Sequence, residues 1–126
     1  MNDNEREEII RSSIAAMKAR GAVLTPQQWG IEWSKKEHRF VMQNSKCCCA
    51  LGCVILAEQE KLKDTNINEW RNLYIENILK VDVQWVREFQ SGFDGHKKAN
   101  NSENGAYELG LLLRSEAKHD KQETSP

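Results

Sequence analysis

Four cysteines crowd into one window, Cys47, Cys48, Cys49 and Cys53, and these side chains have the widest choice of chemistry in the chain. A zinc site needs four ligands converging tetrahedrally, normally from two pairs well separated in sequence. Here three thiols are consecutive, so on a helix they diverge by about 100° from one to the next. Only Cys49 and Cys53 share a face, and His38, His96 and His119 supply no second pair. No metal site is expected. A nucleophilic thiol is the sharper option: Cys47 or Cys48 at a helix N-terminus, beside Lys46, acidified by the dipole and activated by His38 or His96. No hydrolase signature flanks the run, so thiols packed as small hydrophobes are the preferred reading. A bridge among them would close a loop of a few residues and constrain almost nothing. Reduced thiols in a cytoplasmic protein are expected.

The second group is flat and cationic. Trp29, Trp33, Trp70 and Trp85 serve most simply as core or partner-facing surface, but with Arg39, Arg87 and Arg114 they offer planes and charges suited to a nucleotide base. Lys97 and Lys98 follow the Asp94-Gly95 turn in a polar stretch, read as a solvated loop. No G-x-x-x-x-G-K-[ST] or G-x-G-x-x-G is present, so neither nucleotide hydrolysis nor a dinucleotide cofactor has support, and no cofactor is expected. Leu79 to Asp82 has the spacing of a helix-turn-helix turn, with 83–91 as its reading helix. That helix offers Gln84, Arg87 and Gln90 beside Asp82 and Glu88, with little basic support for phosphates. Helix geometry without nucleic acid is the preferred reading.

Composition agrees. The chain has 126 residues, with 18 Lys+Arg against 19 Asp+Glu and a net charge of −1, which lacks the basic field of DNA-coating proteins. The length suits one domain with its own core. No run of 18 apolar residues exists, so no membrane span is expected, and the polar, acidic N-terminus is unlike a secretory or organellar address.

The expected elements are mainly helical. Asn4 and Glu7 have capping-box spacing before a helix over 4–20 with Ile10, Ile14 and Met17 inward. Thr25-Pro26-Gln27-Gln28 is a second helix-start signal. Residues 30–43 suit a short β-hairpin. Residues 47–57 read as a helix dry on most faces, with Gly52 marking a close backbone approach. A helix over 67–80, capped by Asn66, buries Ile67, Trp70, Tyr74 and Ile78. Asp82 caps the next, with Val83, Val86 and Phe89 inward and an end at Ser91-Gly92. Ser102 opens a last helix to about 117, with Ala106, Leu109, Leu112 and Leu113 inward. The expected architecture is a single mainly α domain of about five helices over 1–118, with a disordered tail over 119–126.

Three short blocks occur in order: Cys48-Cys49-Ala50-Leu51-Gly52, Gly92-Phe93-Asp94-Gly95 and Tyr107-Glu108-Leu109-Gly110. Over roughly residues 29–114 they resemble a family of small cyanobacterial proteins associated with cyclic-di-GMP receptors. The resemblance implies a non-enzymatic signalling protein that binds a cyclic dinucleotide, with a transcription regulator or a second copy as protein partner. Such a ligand wants cations for its phosphates and guanine edges, an acceptor for guanine N–H groups and flat side chains for stacking. On that implication the ligand-binding residues are Arg39, Arg87 and Arg114, with Trp33 or Trp85 stacking and Asp94 as acceptor. The competing class is a protein-interaction module with no small ligand, anchored by exposed Trp and Tyr. The thiol enzyme is a third.

Overall fold

A computed structural model describes residues 1–62, 73–99 and 105–123, with side chains of the last stretch described as far as Ala117. Helix α1 spans Asp3–Lys18 and starts two residues earlier than its sequence signal suggests. Asn-x-x-Glu spacing occurs twice here, and the pair that forms the capping box is Asn2 with Glu5. Ile10, Ile14 and Met17 are buried as expected.

Two small strand pairs follow. β1 (Val23–Leu24) runs parallel to β4 (Cys47–Cys48), and the Thr25 N–H extends the ladder by donating to the Cys48 carbonyl at 2.8 Å. The helix-start signal at Thr25 is therefore not used. Gln27 adopts φ 66°, a left-handed backbone that no helix can pass through. The expected hairpin forms, with β2 (Ile31–Ser34) antiparallel to β3 (Arg39–Met42) and Trp33 opposite Phe40. The outer edge of β3 is closed by a side chain. Gln59 accepts from the Phe40 N–H and donates to its carbonyl, both at 2.8 Å, as a neighbouring peptide unit would.

Helix α2 (Ala50–Lys61) is the dry element at the centre, with residues from Ala50 to Ala57 buried. It starts later than expected, because Cys47 and Cys48 are strand and Cys49 is the N-cap. Gly52 has the close neighbour that its sequence context predicts: a Cβ there would lie 2.7 Å from the Trp29 carbonyl oxygen. Gly30 is more constrained still. It sits at φ 78°, and a Cβ would fall 2.1 Å from the Cys47 carbonyl oxygen, so only glycine lets this turn pass under the cysteine strand.

Helix α3 covers Ile75–Leu79, and residues 63–72, with Asn66, Ile67 and Trp70, lie outside the described residues. A single helix over 67–80 is not what forms, because Tyr74 is extended at φ −71° and ψ 134°. Tyr74 is also exposed rather than on the buried face. Arg6 closes the end of α3 by donating to the carbonyls of Leu79 (3.0 Å) and Lys80 (3.1 Å), where the helix dipole is negative. Asp82 caps α4 (Val83–Asp94) through the Trp85 N–H at 2.9 Å, as its sequence position suggests. The helix passes Ser91-Gly92 and ends at Gly95, in a left-handed conformation. Val83 points to solvent and Trp85 takes its place inward.

Helix α5 (Ala106–Glu123) begins after Ser102, which lies outside the described residues. Ala106 and Leu113 are buried, but Leu112 is exposed, because the face toward α4 is set by Gly110 rather than by the leucine stripe. The helical backbone is described through Glu123, and residues 124–126 of the expected tail lie outside the described residues. A Cβ on Gly92 would sit 2.1 Å from the Tyr107 carbonyl oxygen, and one on Gly110 2.3 Å from that of Phe89. These reciprocal approaches let α4 and α5 pack with backbones nearly touching. The rings of Trp85, Phe89 and Phe93 stack in sequence along the buried side of α4. The architecture is mainly α, with five helices and a short hairpin among the described residues. No helix among them is long and apolar enough to cross a membrane.

Candidate functional site

All four cysteines are free thiols. Cys49 caps α2, its Sγ accepting from the Gly52 N–H at 3.3 Å, which is the position where a helix dipole favours thiolate. Burial outweighs that help, and the Cys49 thiol is held above its ordinary range. Burial, then the neighbouring Cys49 and Cys47, pushes Cys48 up to about 11. Burial pushes Cys53 up to about 12, with Cys48 and Cys49 adding to it. His38 and His96 are both exposed, in the hairpin turn and in the stretch after α4. The described residues contain no cluster able to hold a metal ion. The geometry suits thiols used as packing.

The six residues that the family resemblance implies do not converge. Arg39 is committed to Glu60, at 2.6 Å. Arg114 donates to the Phe93 carbonyl at 3.1 Å and so closes the C-terminus of α4. Asp94 is engaged by the loop before the hairpin: its Oδ1 accepts from the Gln27 N–H at 2.8 Å, and its carbonyl from Gln27 Nε2 at 2.9 Å. Those two bonds hold the left-handed Gln27 in place. Trp85 is only 6% exposed and stacked on Phe89, which makes it a core residue, and it lines a groove that contains none of the other five. Trp33 is exposed on the hairpin, edge-on to Phe40 with centroids 5.2 Å apart. Arg87 is exposed on α4. None of the four grooves described on the surface is lined by more than one of the six.

Arg39 belongs to a structural triad that the sequence does not announce. Glu60 on α2 accepts from Arg20 after α1 (2.9 Å) and from Arg39 on β3, so one carboxylate pins three elements. The hydrogen bond from Arg20, then that from Arg39, pulls the Glu60 carboxyl down to about 2. A carboxyl whose folded value lies below its unfolded value of about 4.3 stabilises the fold above that value and stops doing so as pH falls toward 2. Both arginines are substantially exposed, so the network is worth about 1 kcal/mol rather than what the full shift would imply. Glu60→Gln is expected to lower stability by that amount at pH 7 and to unfold with a shallower loss of stability between pH 4.5 and 2. Urea midpoints of the two proteins across that range check this.

What the fold does assemble is aromatic. A groove of about 380 Å³ lies between the hairpin, α2, α3 and α4. Phe40, Leu51, Ile55, Leu73, Ile75 and Val86 form its apolar lining, Trp29 and Tyr74 stand at it as half-exposed rings, and Glu76 and Gln90 supply its polar atoms. Trp29 and Tyr74 are 46% and 45% exposed, and Trp33, also 46%, joins the same face through Phe40. Gln90 Oε1 is closed off from solvent, and the Gln90 side chain lies within hydrogen-bond reach of the Cys49 thiol. Of these residues the sequence reading singles out Trp29 and Trp33 as base-stacking or partner-facing candidates. Tyr74 falls on the wrong side of a helix period, Gln90 is read only as part of a helix-turn-helix-like reading helix, and Glu76 carries no local signal, because the groove is made where separate elements meet. Compared with family models, curated proteins and solved structures, the chain matches none.

Proposed function

We propose that the chain is a non-enzymatic regulatory module that binds a protein partner through the aromatic face of Trp29, Trp33 and Tyr74. The supporting observation is the exposure of three large aromatic residues on one face, beside a groove with apolar walls. Half-exposed Trp and Tyr at a concave apolar surface are the residues that most often anchor protein interfaces. If they serve a partner rather than the fold, Trp29→Ser and Trp33→Ser should each leave the melting temperature within a few degrees of the parent. A loss of more than about 10 °C in either would make the face structural and remove the reading.

A receptor for a nucleotide second messenger, as the resemblance implies, is the second reading, and one observation favours it. Arg87 is exposed on α4 between Val86 and Gln90, two residues that line the groove, though it does not line the groove itself. It has no side-chain hydrogen-bond or ion-pair partner among the described residues. A base against Trp29 with its phosphate on Arg87 would use that arrangement. Calorimetric titration with cyclic-di-GMP, with cyclic-di-AMP and GTP as controls, separates the two readings. Silence with all three in folded protein is expected for the partner-binding module. Micromolar binding of cyclic-di-GMP alone, weakened at least about tenfold by Arg87→Ala, would put the receptor first.

A further inference from the structure

We propose that the chain pairs with a second copy of itself through the outer edge of β2, strand against strand about Trp33. The inference rests on reading the aromatic face as an interaction surface, and it names the partner that the backbone there fits. Residues of an antiparallel pair alternate: one bonds across to the other strand, and the next points both backbone groups away. Gln59 takes both backbone groups of Phe40 on the far side of β3, and the Gln43 N–H donates to the Gly30 carbonyl at 2.9 Å. Gly30, Glu32 and Ser34 therefore bond toward β3, and Trp33, opposite Phe40, directs its N–H and C=O to the outer edge. The edge of β3 is plugged by the Gln59 side chain. On the edge of β2, no hydrogen bond among the described residues engages the Trp33 groups. An open edge of this kind is a template for another strand.

A second copy fits that template with its own edge. Setting the two Trp33 residues opposite each other about a two-fold axis forms a reciprocal pair of N–H···O=C bonds and brings the indoles side by side on one face. In the same register Glu32 of one copy lies across from Ser34 of the other, with Lys35 and Lys36 of that turn just beyond. Glu32, Lys35 and Lys36 are all exposed, and none has a side-chain hydrogen-bond or ion-pair partner among the described residues. Glu37, in the same turn, lines the groove on the β3 side with Arg20 and Arg39, away from this edge. The next register that the backbone allows is centred on Glu32 and would set two carboxylates directly opposite each other, which is unfavourable. A net charge of −1 lets two copies meet without strong repulsion. Ile31 is buried, so the contact is confined to Trp33 and its neighbours, and so small a contact makes a weak, concentration-dependent dimer.

Sedimentation equilibrium of the full chain from micromolar to millimolar concentration tests this. The mass should rise from that of one chain toward that of two, and the Trp33 amide should exchange with solvent more slowly as it does so, with the Glu32 amide unchanged. Glu32→Lys alone, and Lys35→Glu together with Lys36→Glu, should each weaken association at least about fivefold. Mixing the two variants should restore it, because the mixed pair regains both opposite-charge contacts. Unchanged melting temperatures show that the variants fold. A tighter dimer of Glu32→Gln would place the carboxylates opposite each other and overturn the pairing about Trp33. A dimer whose Trp33 amide exchanges as in the monomer, or which ignores the charge reversals, overturns the proposal. A chain that stays monomeric at millimolar concentration also overturns it, and leaves the aromatic face to a different protein.

Discussion

Gly110→Ala is expected to cost at least about 3 kcal/mol and to lower the melting temperature by about 10 °C or more. Helix propensity alone predicts the opposite sign, since alanine in a helix interior is favoured over glycine by about 1 kcal/mol. The close approach decides the matter. The added Cβ would lie 2.3 Å from the Phe89 carbonyl oxygen and 2.7 Å from the Phe93 nitrogen, and both are backbone atoms that no rotamer change can move aside. Helices α4 and α5 would have to separate, and Phe89, Phe93, Ala106 and Leu113, all fully or nearly fully buried, would lose contacts together. Gly105→Ala is the control. Among the described residues its Cβ would meet only Asp3 Oδ2, at 3.8 Å, so its melting temperature should stay within a few degrees of the parent. Thermal unfolding followed by circular dichroism compares the three proteins. Equal melting of Gly110→Ala and Gly105→Ala would mean that the two helices do not cross so closely.

That crossing also changes what the three sequence blocks mean. Each carries a glycine pressed against another segment's backbone: Gly52 on Trp29, Gly92 on Tyr107, Gly110 on Phe89. The glycines in the blocks thus have a packing reason that involves no ligand. A sequence sharing them shares a way of bringing helices together, and the identity of any bound molecule must be argued from other residues.

Where one element carried its own signal, the sequence was readable. The buried stripe of α1, the hairpin over 30–43, the dryness of α2 and the Asp82 cap all follow from local pattern, and all four are present. Misreadings came where a distant partner overrode a local signal. Thr25 has a helix-capping context, yet its N–H completes a parallel ladder with Cys48, which no local pattern encodes. Leu112 sits on the leucine stripe of α5, yet the Gly92–Gly110 approach turns the helix so that Leu112 faces water. The candidate site was the least legible part for the same reason. Trp29, Phe40, Tyr74 and Gln90 come from four separate places in the chain, and only the packing of α2 against the hairpin brings them to one groove. Two of the three arginines that stand out by type are engaged within the fold, Arg39 with Glu60 and Arg114 with the end of α4.

Native thiol labelling should find one fast cysteine per chain and three that react at least about a thousandfold more slowly. Thiolate, not thiol, is the reacting form, and each unit of pKa elevation removes it about tenfold. At pH 8 a thiol raised to about 11 is ionised at roughly one part in a thousand, and Cys53, at about 12, less still. Access multiplies the effect, because Cys48, Cys49 and Cys53 are each exposed by 1% or less, whereas Cys47 on β4 is only partly covered. A reagent must then wait for an opening of the core around α2, so the slow phase should accelerate with urea in step with global unfolding. All four should label at once in denaturant. Two or more fast thiols in native protein would contradict this burial and would return the nucleophile at the N-terminus of α2 to consideration. One fast thiol, removed by Cys47→Ser without loss of stability, would leave the other three as what their surroundings suggest: small apolar side chains in the centre of a helical core, protonated because no water reaches them.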